Sequence, residues 1–171
     1  MLSQVVVDAI NTQINSELSA HYAYLAMSAY CERANFLGAA KWLRTQSQEE
    51  YGHAIRLFDF LLAKNAKTEL KALKEPKSDY TSLLDVFETA YRQEQEVTKQ
   101  INGLYEVAFR EKAYDTVVQT EWFVNEQVEE EKTMREIVGK LQMVKDDPPS
   151  LLDLDRELGG RGPVAETAKE T

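Results

Sequence analysis

The sequence predicts an all-α protein: a four-helix bundle with one long crossover connection and a short fifth helix near the C-terminus. Three observations carry that prediction. Before residue 145 the chain holds one proline, Pro76, and four glycines, and strand-like alternation is almost absent. Its residues are mostly good helix formers, with apolar positions recurring in helical phase. Finally, the breaks in that phase are unequal, with two short turns flanking one long connection, the pattern of a bundle with a single crossover.

The first helix is expected over 4–34 and ends at Asn35-Phe36-Leu37-Gly38, a tight turn that makes the first two helices antiparallel neighbours. The second spans 37–64. The stretch from Lys64 to Tyr80, with Asn65, Pro76, Ser78 and Asp79, reads as the crossover, with Ser78 or Asp79 as cap of the third helix. That helix spans 81–110, and a quick turn near Tyr114-Asp115 leads to a fourth over 113–144. Asp146-Asp147-Pro148-Pro149 ends the fourth helix, and residues 151–158 form the short fifth. The expected domain covers residues 1–158, and residues 159–171 are expected to be a flexible tail. Ile14, Leu18 and Leu25 widen the apolar face of the first helix beyond one packing surface, which points to subunit contacts.

Composition narrows the function classes. A chain of 171 residues with 43% hydrophobic and 29% charged residues suits one soluble domain with a real core. A net charge of −9 argues against nucleic acid and anionic membrane partners and favours attraction of cations. The single cysteine, Cys31, excludes an intramolecular disulfide and fits a reducing, cytoplasmic setting. The start of the chain lacks the pattern of a signal peptide, and no apolar run is long enough to span a membrane.

Seven-residue spacing exposes an anomaly. The core stripes read Ile10, Glu17, Tyr24, Cys31; then Phe36, Leu43, Glu50, Leu57; then Tyr80, Phe87, Glu94, Ile101, Ala108; then Phe123, Glu130, Ile137, Val144. Each helix thus points one carboxylate where an apolar residue belongs. An ionised carboxylate in an apolar core costs several kcal/mol. Four together need a shared cation or must hold protons. The bland alternative, burial paired with Lys or Arg, needs a basic residue in these stripes, and they contain none.

The sequence Glu50-Tyr51-Gly52-His53 puts a carboxylate and an imidazole on one helix face. Carboxylates with one imidazole suit iron or manganese, with zinc also possible. Glu17 and His53 are expected to bind one ion and Glu94 and Glu130 a second, with Glu50 bridging. Thr133 stands where a symmetric site would carry a second histidine, so the second ion is held less fully. Tyr24, one heptad from Glu17, is placed to hydrogen-bond a ligand or pass an electron, against the plain reading of a packed tyrosine. Gln127, one turn before Glu130, is placed to hydrogen-bond a ligand. His21 falls on the other stripe and reads as structural or interfacial. Glu49, Glu126 and Glu129, with Glu130, form a second acidic group: a solvated face on the bland reading, a third cation site on the other.

These motifs together, Asn15-Ser16-Glu17-Leu18, Gln48-Glu49-Glu50-Tyr51-Gly52-His53, Glu94-Gln95 and Glu126-Gln127-Val128-Glu129-Glu130-Glu131-Lys132, resemble those of the bacterial non-haem ferritins over roughly residues 1–158. The resemblance implies a ferritin-like bundle and a ferroxidase: a first iron site of Glu17, Glu50 and His53, a second of Glu50, Glu94 and Glu130 with Gln127 alongside, and a third of Glu49, Glu126, Glu129 and Glu130. Tyr24 matches the tyrosine beside the ferroxidase centre. It further implies a homo-oligomer of 24 subunits that oxidises Fe(II) with dioxygen or peroxide and stores ferric mineral. Thr133 and Tyr51 replace the histidine and haem-binding methionine of the haem-containing relatives, so no haem is implied. The competing expectation is a di-iron oxidase or peroxidase acting on peroxide or a small organic substrate.

Overall fold

In the computed structural model, residues 1–162 are described. They form α1 (Gln4–Arg33), α2 (Leu37–Ala63), α3 (Leu83–Arg110), α4 (Tyr114–Val144) and α5 (Pro148–Gly159). The fold is the expected four-helix bundle with a short C-terminal helix.

Two apolar clusters set the directions of the helices. One gathers Ile10, Ile14, Leu57, Leu61, Ile101 and Phe123. The other gathers Tyr24, Cys31, Leu43, Phe87, Met134 and Leu141. On every long helix the mid-helix acid lies in sequence between its contributions to the two clusters. Hence α1 and α4 run one way and α2 and α3 the other, with a polar layer between two apolar ends. Two parallel helices in succession demand a connection as long as the bundle, roughly 40 Å for 27 residues. The segment between α2 and α3 supplies it.

That crossover has no helix of its own and is held to α1 by two asparagines. Asn11 Nδ2 donates to the Lys67 carbonyl (2.9 Å), and the Glu69 amide donates to Asn11 Oδ1 (2.7 Å). One turn on, Asn15 repeats the arrangement with the Glu69 carbonyl and the Lys71 amide, both at 2.7 Å. Backbone groups of an irregular segment thereby gain partners that neither helix nor sheet offers.

Three helices end in the same way. Asn35, Asn65 and Lys112 have φ of 62°, 52° and 55°, in the left-handed region. The next amide in each case reaches back over the last turn: Phe36 to Cys31, Ala66 to Leu61, and Ala113 to Ala108. These bonds satisfy carbonyls that a helix end otherwise leaves bare.

Two sequence expectations are corrected. Ser82, not Ser78 or Asp79, caps α3, accepting from the Asp85 amide at 3.1 Å. Pro148 and Pro149 open α5 rather than closing α4; proline suits the first helical turn, where its missing N–H is not needed. Asp147 caps that turn, accepting from the Ser150 amide. Ile14 is buried, whereas Leu25 of the same apolar face is exposed.

α5 is clasped to the start of α2. The carboxylate of Asp155, itself buried, accepts from the amides of Gly38 (3.2 Å) and Ala39 (2.8 Å), two donors that the preceding Phe36 cannot cap. A Cβ on Gly38 would lie 1.7 Å from the Asp155 carbonyl oxygen, so this contact requires glycine. Gly159 belongs to α5 and Arg161 is anchored by side-chain bonds. The first residues of the expected tail are therefore part of the folded body, and residues 163–171 lie outside the described ones.

Candidate metal centre

The polar layer is buried on all four helices. Glu17 and Glu94 are fully inaccessible, Glu50 is 1% exposed, and Glu130 and His53 are each 7% exposed. Glu17, Glu50 and His53 each offer a ligand atom within 4.8 Å of the other two, and among the described residues this is the one such group of three. His53 Nδ1 lies 3.3 Å from Glu50 Oε2. Its ring is wedged edge-on against Trp122 and Phe123, which fixes its plane.

One oxygen of Glu17 is satisfied and the other is not. Gln13 Nε2 donates to Oε1 at 2.7 Å. Oε2 is buried and has no hydrogen-bond partner. A buried carboxylate oxygen with nothing to accept is costly unless a proton or a cation meets it. The donor set around it, two carboxylates and an imidazole, can hold a divalent first-row metal ion.

Glu94 and Glu130 form the other half of the layer. The Tyr24 hydroxyl donates to Glu94 Oε1, and Gln127 Nε2 donates to Glu94 Oε2 at 3.2 Å. Gln127 therefore serves Glu94 across the bundle rather than Glu130 on its own helix. Gln46 Nε2 donates to Glu50 Oε1 at 3.0 Å and to Glu130 Oε2 at 2.9 Å, joining carboxylates from two helices.

Protons are shared unevenly. Burial, reinforced by the charge of Glu50, pushes Glu17 up to about 8. The same two causes push Glu130 up to about 8 and Glu94 well above the usual carboxylate range. Burial opposes ionisation of Glu50 too, but the charge of His53 and its hydrogen bond outweigh it and hold Glu50 below that range. Burial likewise works against protonated His53, yet Glu50 prevails and lifts it to about 10. A single negative charge on Glu50, balanced by the imidazolium, thus leaves the other acids holding protons that a metal would displace.

The acids expected at a third site are placed differently. Glu49 is partly buried and ion-paired with Arg161, Glu126 is partly buried, and Glu129 is exposed, 3.8 Å from Lys132. They do not converge with Glu130 as Glu17, Glu50 and His53 converge with one another. His21 lies outside the layer; its Nδ1 sits 2.8 Å from both the carbonyl oxygen and Oγ of Ser47, tying α1 to α2.

Sequence reasoning missed Gln13, Gln46 and Arg161. The two glutamines had a usable signal, since each stands four residues before a core-register glutamate. Arg161 had none: it lies beyond α5, in a stretch that reads as tail.

A helical bundle with one acid per helix and a Glu-Glu-His cluster in its core defines a class of metal-binding four-helix proteins. The family model described as a ferritin-like domain matches residues 7–144. The chain is 37% identical over 161 residues to a bacterial non-heme ferritin of Staphylococcus aureus (strain USA300), covering 94% of this chain and 97% of that one. It is 36% identical to the non-heme ferritin of Staphylococcus haemolyticus (strain JCSC1435), with the same coverage. Its structure is similar to that of an open pore ferritin from the hyperthermophilic archaeon Archaeoglobus fulgidus, with a TM-score of 0.93, 41% identity, and 95% and 99% of the two chains covered. It is also similar to a humanized archaeal ferritin, with a TM-score of 0.95, 39% identity, and 96% and 100% covered. The chain belongs to the ferritin family.

Proposed function

We propose that this chain stores iron and acts as a ferroxidase, oxidising Fe(II) to Fe(III) at a centre inside each subunit. The observation that carries the reading is the buried, unpartnered Oε2 of Glu17 within reach of Glu50 and His53. That half of the layer binds one Fe(II). Glu94 and Glu130, with Glu50 shared, bind a second. Each Fe(II) gives up one electron, and one dioxygen takes both with two protons to leave as hydrogen peroxide; peroxide itself is the alternative oxidant. Glu17, Glu130 and Glu94 release protons as the ions arrive. Tyr24 and Gln127 hold Glu94 in place, and Gln46 spaces Glu50 from Glu130. Glu126, Glu129 and Glu130 receive a further ion on its way to the mineral, with Glu49 joining them when its ion pair with Arg161 opens.

The similarity to ferritins over nearly the whole chain supports a hollow shell of 24 subunits as the storage body. No helix of the described residues is long and apolar enough to cross a membrane. Cys31 is free and buried, its thiol pushed up to about 12 by burial and so unreactive; one unpaired cysteine in the chain suits a reducing cytoplasm. Light scattering combined with an iron assay tests the reading. A particle of about 24 chain masses that consumes Fe(II) and retains Fe(III) is expected. A dimer at every concentration would sink the storage shell and leave an oxidase or peroxidase.

A further inference from the structure

Arg161 follows α5, far in sequence from the polar layer, yet its guanidinium reaches that layer. It lies over the ring of Trp42, 4.3 Å from its centre. Nη1 donates to Gln46 Oε1 at 2.9 Å, and Nη2 donates to a Glu49 carboxylate oxygen. The backbone leading to it is fixed: Lys41 Nζ donates to the Gly159 carbonyl (2.9 Å), and the Arg161 amide donates to the Leu158 carbonyl (3.2 Å).

Gln46 makes this contact consequential. It is fully buried, and its amide group meets the guanidinium on one side and Glu50 and Glu130 on the other. An amide carries one acceptor oxygen and one NH2, while a guanidinium only donates. Turned over, Gln46 would set its NH2 against Arg161 and its oxygen against two carboxylates. Arg161 therefore locks the orientation in which Gln46 donates to both acids. The same guanidinium neutralises Glu49, the neighbour of Glu50, and occupies a coordinating oxygen of it.

We propose that Arg161 is a positioning residue for the metal centre: a tethered cation that orients Gln46 toward Glu50 and Glu130 and withholds Glu49 from metal. The inference rests on the reading of Glu50 and Glu130 as metal ligands. It makes the segment that follows α5 a regulator of how many cations the layer takes. While Arg161 is docked, Glu49 is engaged. When it leaves, Glu49 becomes a free carboxylate beside Glu130, and Gln46 loses its orientation.

The two limbs separate in variants of the full-length assembled protein, using Zn(II) as a redox-silent probe in titration calorimetry and Fe(II) oxidation as the second readout. Arg161→Ala should bind an additional Zn(II) per chain, or bind the last one about tenfold or more tighter, and should oxidise Fe(II) more slowly. Arg161→Lys keeps the charge but lacks the fork, so it should slow oxidation without the extra Zn(II). In Arg161→Ala combined with Glu49→Gln, the extra Zn(II) should vanish. A residue that merely pinned α5 would lower the melting temperature and would not create metal binding. Wild-type Zn(II) binding in Arg161→Ala would overturn the inference and leave the ferroxidase reading standing, whereas no Zn(II) binding by the wild type would overturn both. Should Arg161→Ala fail to fold, wild-type oxidation by Arg161→Lys would overturn the positioning role.

Discussion

The hydroxyl of Tyr24 on α1 donates to Glu94 on α3, and not to Glu17 on its own helix. The tyrosine is fully buried, and burial together with the charge of Glu94 raises its phenol well above the ordinary range. It stays a donor at any physiological pH. Glu94 thereby has one fixed oxygen facing Tyr24 and one facing Gln127. Tyr24→Phe should destabilise the protein by about 1–3 kcal/mol, the cost of leaving a buried acceptor short of a donor. It should also weaken the second Fe(II) site by about tenfold while sparing the first. Thermal unfolding and Fe(II) titration would check both, and equal loss at the two sites would refute the assignment of Tyr24 to Glu94 alone.

Glu50 touches both halves of the layer, through His53 on one side and Gln46 with Glu130 on the other. Glu50→Ala is expected to slow Fe(II) oxidation most among the single substitutions, by about 100-fold or more, with His53→Ala close behind. Stopped-flow absorbance of ferric product measures it. A wild-type rate in Glu50→Ala would exclude a shared site.

Stability of the metal-free protein should fall as pH rises. Glu17 and Glu130 sit near 8 in the folded chain against an ordinary 4.5, so the folded state holds protons that the unfolded chain has released. Their contribution is complete below 4.5 and is lost as pH climbs to 8. For His53, raised from 6.5 to about 10, the contribution is complete below 6.5 and is lost toward 10. The windows overlap between 6.5 and 8, where the melting temperature should drop most steeply. Zn(II) needs the same groups deprotonated, so its stabilising increment should grow over that range. Calorimetry from pH 5.5 to 9 with and without Zn(II) decides; a metal-free melting temperature that rises with pH would contradict the proton inventory.

Gly38→Ala should loosen α5. The added methyl would meet the Asp155 carbonyl at 1.7 Å, and backbone on both sides must move to relieve it. A loss of about 1–3 kcal/mol is expected, with faster proteolysis after residue 145. Asp155→Asn should cost less, because its remaining oxygen still caps one amide. Unaltered protease sensitivity in Gly38→Ala would show that the clasp is dispensable.

Much of this architecture was legible in the sequence because it rests on period and on turn chemistry. The phase of Glu17, Glu50, Glu94 and Glu130 assigns one acid to the core face of each helix, and all four are buried. Asn35 and Asn65 marked helix ends, since asparagine tolerates positive φ. Lys112 does the same work without such a signal, since lysine has no side-chain preference for positive φ. Pro148 and Pro149 were ambiguous by nature, because proline both follows one helix and opens the next. What no local pattern could reveal were contacts between distant segments. Asp155 caps the first turn of α2 at Ala39, 116 positions earlier, and Arg161 meets Gln46 across 115.

Those separations bear on how the chain assembles. The α1–α2 and α3–α4 pairs join through turns of a few residues, so each closes cheaply and early. The Asp155–Ala39 bond closes a loop of most of the chain and can form only once the start of α2 is in place. On loop length alone it is expected to form after the helix pairs, and while it is open Arg161 lies away from Gln46. A subunit still short of its final step would hold the four acids without their last orienting donor, so the capacity to handle iron matures with the seating of its last helix.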